Sequence, residues 1–139
     1  MRGPFSFGVI ILGGGALLLV GFLLVGYLLP SDWDAEATSV LPVPPEVVFD
    51  FLDSPEGWQR WTPWPEEGLR RTGPVRGVGA TLSWNDPELG SGSFTIGGAE
   101  VPTRVSYWVS IDEGAMRADG SVEVAPAEGG GSRVTWRER

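Results

Sequence analysis

Between Gly77 and Trp136 apolar and polar side chains alternate with a period of two. GVGATLSWND sets Val78, Ala80, Leu82 and Trp84 against Gly79, Thr81, Ser83 and Asn85. SGSFTIGG presents Phe94 and Ile96, and Gly97-Gly98 reads as the turn that follows. VPTRVSYWVSID puts Val101, Thr103, Val105, Tyr107, Val109 and Ile111 on one face. AMRADGSVEVAP groups Met116, Ala118, Val122 and Val124, and SRVTWRER turns Val134 and Trp136 the same way. Asn85-Asp86-Pro87, Glu113-Gly114 and Gly129–Gly131 supply the other turns. An antiparallel sheet with one wet face requires this alternation. Five such runs, preceded by a weakly patterned stretch from Gly68 to Gly73, predict a six-stranded meander.

Upstream the pattern changes. DAEATSVLPV (Asp34–Val43) predicts an earlier strand, with Ala35, Ala37, Ser39 and Leu41 on one side. Pro44-Pro45 ends it and suits the first turn of a helix, where Glu46 complements the helix dipole. PEVVFDFL then places Val48, Phe49 and Leu52 on one side of a short helix. Ser54-Pro55-Glu56 starts a second short helix that carries Trp58 and Trp61, and Pro63 and Pro65 end it. The expected order is strand, two short helices, six-stranded meander: an α+β domain.

No charged residue occurs from Gly3 to Ser31, and Phe5 to Leu29 is almost continuously apolar. Twenty-five residues at about 1.5 Å each span a bilayer core of about 30 Å with some tilt. This predicts a single transmembrane anchor (residues 1–31) before one domain (residues 32–139). The run is longer than a signal-peptide core, and YLLPSDW lacks small residues at cleavage spacing. Arg2 before the span places the N-terminus in the cytoplasm and the domain outside.

Composition narrows the chemistry. The chain has 139 residues and a net charge of −8, with ten Arg but no Lys, His or Cys. No thiolate, no imidazole base and no zinc–sulfur site is available. A net acidic chain without a basic run is a poor nucleic-acid binder, since phosphate contacts supply that affinity. No Asp-rich calcium loop occurs, so neither a metal nor a cofactor is expected. Asp119 and Glu123 share the outward face of a strand, and Glu66-Glu67 and Asp112-Glu113 lie in loops, where all read as solvated charges. Arg70-Arg71 is a small basic patch expected to pair with nearby acids. Tyr107 is on the inward parity, where it reads either as a ligand handle or as a side chain whose hydroxyl reaches a wet rim. Trp58, Trp61 and Trp64 read as staples of the helices to the sheet, or as a cavity rim. Outward Trp108 reads as a partner surface or as a ring covered by an Arg stem.

Three stretches carry a resemblance: PPEVVFDFLDSPEGWQRWTPW (Pro44–Trp64), GPVRGVGATLSW (Gly73–Trp84) and GGGSRVTW (Gly129–Trp136). In order and spacing they resemble the helix-grip fold of the START-like (SRPBCC) superfamily of polyketide cyclase/dehydrase and lipid-transport proteins. The likeness covers about three quarters of the chain. It implies a curved sheet around a hydrophobic cavity and names no particular ligand. The inward face supplies the candidate ligand-binding residues Leu82, Trp84, Phe94, Ile96, Val105, Tyr107, Val109, Met116, Val122, Val124, Val134 and Trp136.

The family's cavity is closed by a gripped C-terminal helix, and no such helix is expected between Trp136 and Arg139. The inner face would then stand open, with several hundred Å² of apolar surface and about 10 kcal/mol of burial forgone. A truncated form, a partner, a second copy, or collapse of the helices over the face would each account for this. The expected function is membrane-anchored binding of a lipid-like or polyketide-like molecule, driven by desolvation of its apolar part. The alternatives are a protein-interaction module using the open face and, with no catalytic residue assigned, a cyclase or dehydratase.

Overall fold

The computed structural model describes residues 18–29 and 33–139, and the chain divides into two compact units after Trp33. In the first, residues 18–28 are helical. Among the described residues no helix is long and apolar enough to cross a membrane. The expected span over residues 5–29 falls largely outside the described residues, which take in only its last twelve positions, 18–29.

The second unit follows the predicted order. It comprises β1 (Ala35–Leu41), α1 (Pro45–Phe49), α2 (Pro55–Gln59), β2 (Arg70–Thr72), β3 (Thr81–Asp86), β4 (Gly90–Glu100), β5 (Arg104–Ile111), β6 (Met116–Pro126) and β7 (Ser132–Glu138). All pairings are antiparallel, in the order β1-β7-β6-β5-β4-β3-β2. The meander runs β2 to β7, and β1 closes onto the last strand. Both short helices begin as their sequence dictates. Pro45 opens α1, and Ser54 caps α2 by accepting a hydrogen bond from the Gly57 amide at 3.1 Å. Val48, Phe49 and Leu52 are all buried, as the helical spacing requires.

Register fixes the faces. Residues directly opposite one another share a side of the sheet. Leu82, Phe94, Val109 and Ala118 form one inward row; Ile96, Tyr107, Gly120 and Glu138 form a second; Ala99, Val105, Val122, Trp136 and Ala37 form a third. The helices lie over this face, and the core between them contains Trp58, Phe94, Ile96, Val105 and Val122.

Four expectations need correction. Gly97-Gly98 is not a turn: β4 runs on to Glu100, and the register shifts between Ile96 and Gly98 in a β-bulge. A Cβ on Gly97 would collide with the Trp108 ring, so the glycine lets that indole lie across the strand. The turn falls instead at Val101–Thr103, leaving Val101 exposed. Val78 is also exposed, because β3 begins only at Thr81. Among the described residues Arg71 pairs with no acid; its guanidinium donates to Gln59 Oε1 at 2.9 Å. The residues of β1 are all exposed, and this edge strand has a strand neighbour on one side only.

Candidate functional site

The inward face has a filled end and an open end. At the filled end Trp58, 1% exposed, lies 4.8 Å from the Phe94 ring and 4.7 Å from that of Tyr107, centroid to centroid. Its indole N–H donates to the Leu52 carbonyl at 2.7 Å, which fixes the ring against the end of α1. Trp64 lies 4.7 Å from Phe94 and stacks on Trp84 at 6.1 Å. Each such aromatic pair adds about 0.5–1.5 kcal/mol beyond its burial. The hollow under β3, β4 and β5 is therefore occupied by the protein's own indoles, and the stapling role of Trp58 and Trp64 is their geometry.

At the other end a cavity of about 350 Å³ remains between α1 and the inner face of β6 and β7. Its wall is Leu41, Val43, Val47, Val48, Phe51, Leu52, Trp61, Val122, Val134 and Trp136. Both wall indoles spend their N–H groups on protein: Trp61 on the Phe51 carbonyl at 3.4 Å, Trp136 on the Tyr107 hydroxyl at 2.5 Å. The wall therefore offers an occupant hydrocarbon contact only. Leu41, Val47, Phe51 and Trp61 are partly exposed and mark the mouth.

Of the candidate residues, the structure brings Val122, Val134 and Trp136 together on the cavity wall. Trp84, Phe94, Ile96, Val105, Tyr107 and Val124 lie in the packed core, with Val109 against it, and Leu82 is fully buried on β3. Met116 is 64% exposed: it has inward parity, but it opens β6 beside the turn at Asp112–Gly114, beyond the described core. The α1 contribution was missed by the sequence reading. Val47 and Phe51 are four residues apart, the spacing that puts two side chains on one helical face, beside the stripe of Val48 and Leu52.

Tyr107 does not line the apolar cavity. Its hydroxyl accepts from Trp136 and donates to Glu138 Oε1 at 3.3 Å, and both Tyr107 and Glu138 border an open polar cleft at this end of the sheet. Burial pushes its ionisation far up; Trp136 pulls it down, and the Glu138 carboxylate pushes it up again. The phenol thus bridges β5 and β7, with its ionisation held well above the usual tyrosine value. On the outer face Trp108 is covered by the Arg117 guanidinium at 5.1 Å. Arg117 also pairs with Asp119 at 2.8 Å and holds that carboxyl below its usual range. Arg137 bridges Glu36 at 2.7 Å and Glu123 at 3.1 Å. Asp119 and Glu123 are solvated surface charges, as their parity predicts.

A curved antiparallel sheet, two short helices laid over its inner face and an apolar hollow between them define a helix-grip, hydrophobic-ligand-binding fold. The chain belongs to the polyketide cyclase / dehydrase and lipid transport family, whose model matches residues 32–139. Solved structures agree on the fold. CalU16 from Micromonospora echinospora superposes with a TM-score of 0.54 at 17% identity, over 76% of this chain and 59% of CalU16. The chain thus spans less than two thirds of that protein's length. The Aha1 dimer from Colwellia psychrerythraea gives 0.57 at 15% identity, over 78% of this chain and 76% of that one. PFC0360w from Plasmodium falciparum, an HSP90 activator, gives 0.55 at 19% identity, over 78% and 73%. No curated protein matches the sequence.

Proposed function

We propose that this protein binds one hydrophobic or amphipathic small molecule in the cavity between α1 and β6–β7, while residues 5–29 hold the domain at a membrane. The observation that carries the reading is the wall itself: 350 Å³ of space with every neighbouring indole N–H already satisfied. Space of that size is at the small end for ligand pockets and suits a single chain or a compact ring system. Desolvation of the apolar part drives binding, at about 0.8 kcal/mol for each buried methylene. Val122, Val134 and Trp136 from the sheet and Val47, Phe51 and Trp61 from the helical side form the contact surface. The charge-free run from Gly3 to Ser31 supports the anchor, and Arg2 favours a cytoplasmic N-terminus with the domain on the far side.

Two measurements test this. The full chain, purified in an amphipathic polymer, is titrated with a dodecyl chain brominated at its far end. Saturable quenching of tryptophan emission is expected, because Trp61 and Trp136 face the cavity; unsaturable quenching overturns the binding reading. Alkaline washing of membranes is expected to leave the chain in the pellet, and its release overturns the anchor.

A further inference from the structure

We infer that the ligand of this cavity is a single-chain amphiphile with an anionic head group, and that Arg60 selects it. The inference rests on the binding reading above and adds the chemistry of the head.

The wall offers no polar partner, so any polar group of the occupant must sit at the mouth. Phe51 stands at that mouth, and the Arg60 guanidinium lies 5.6 Å from the centroid of its ring. Arg60 has no carboxylate within 4.0 Å among the described residues. The acid next to Phe51, Asp50, is turned to Arg76 at 3.3 Å. Arg60 is not itself in the wall, but its guanidinium lies beside a ring that is, and among the described residues it has no carboxylate partner. A guanidinium stacked on a ring keeps its in-plane N–H donors available, and these match a carboxylate or a phosphate. The volume sets the length of the tail. At about 30 Å³ for each water-sized group, the space holds roughly a dozen carbons, one chain and not two.

The probes are dodecanoate, dodecyl phosphate and methyl dodecanoate, each added to the full chain in amphipathic polymer below its micellar concentration. The wild type is expected to bind both anions about threefold or more tighter than the ester, the preference shrinking as salt is raised. Arg60→Gln removes the preference and leaves ester affinity in place, while Arg60→Lys keeps part of it. A preference for only one of the two anions still supports the inference and names the head as carboxylate or phosphate. Equal affinity of the wild type for anions and ester overturns it, and so does a preference that survives Arg60→Gln; in both cases the cavity reading stands. Failure of all three probes to bind overturns the cavity reading and this inference together.

Discussion

The indole N–H of Trp136 ends on the hydroxyl of Tyr107, 2.5 Å away, and that hydroxyl continues to Glu138 Oε1 at 3.3 Å. One phenol thus ties β5 to β7 across β6, and the same contact turns the only polar atom of Trp136 away from the cavity. The structural tie and the apolar wall have one cause.

Alkaline stability reports on that phenol. Below the ordinary tyrosine value of about 10 both folded and unfolded chains keep the proton, and stability does not depend on this group. Above it the unfolded chain releases a proton that the folded chain retains, since burial raises the folded value. Stability should therefore fall by up to about 1.4 kcal/mol per pH unit above pH 10. The chain has no Lys, His or Cys to blur the window. Urea midpoints across this range should show the slope in the wild type and lose it in Tyr107→Phe. That variant starts about 1–3 kcal/mol lower at neutral pH, because the Trp136 N–H loses its acceptor. A flat wild-type profile would contradict the buried phenol.

Gly120 faces Tyr107 across the β5–β6 ladder, and a Cβ there would run into the phenol ring. Gly92 stands in the same relation to the Trp84 indole. Alanine at either position should destabilise by about 1–3 kcal/mol through forced displacement of the ring. Gly120→Ala should in addition disturb the near-ultraviolet dichroism of Tyr107 and Trp136. Ser121→Ala, next in the chain and turned outward, should change the denaturation midpoint little.

Much of this was legible in the chain. Period-two alternation placed β3 to β7, because one face of each is buried and a slip of one residue would turn Phe94, Val105 or Val122 to water, whereas β2, exposed throughout, left only a weak pattern. The opening of both helices was legible because proline and the Ser54 cap act locally. Gly97-Gly98 misled because a bulge and a turn use the same glycine chemistry; what separates them is Trp108, eleven residues on. The cavity's position was not legible either. Parity says which side a residue faces, but whether Trp58 or empty space meets it depends on where the connection after α1 puts that indole. The Tyr107–Glu138 contact spans 31 residues and leaves no local trace.

Asp53 illustrates a pair in which burial outweighs attraction. Its Oδ2 receives Arg76 at 3.0 Å, while Oδ1 is buried without a partner. Burial raises its ionisation above the usual carboxylate value, Arg76 works against this, and Asp50 adds to it. A carboxyl with a raised folded value costs stability at neutral pH, and the loss is recovered as pH falls through that value. Asp53→Asn keeps an acceptor for Arg76 and removes the charge, so it should be within about 0.5 kcal/mol of the wild type at neutral pH or above it. Arg76→Gln, which strands the carboxylate, should cost about 1 kcal/mol or more. Paired urea titrations at neutral pH decide it, and an Asp53→Asn variant clearly less stable than the wild type would show the Arg76 attraction to outweigh burial.

Val134 and Val105 distinguish space from core. Both project from the inner face of the sheet, but Val134 borders the cavity whereas Val105 is fully buried among packed neighbours. Phenylalanine at position 134 has empty volume to enter. Val134→Phe should keep or raise the denaturation midpoint while removing saturable quenching by the brominated dodecyl chain. At position 105 the added ring must displace atoms already in contact, and Val105→Phe should lower stability by about 1–3 kcal/mol. The pair separates a binding cavity from a loosely drawn core: in a core both substitutions cost stability, and in a cavity only one does. A Val134→Phe variant that is stable and still binds the chain with wild-type affinity would place the ligand elsewhere on the molecule.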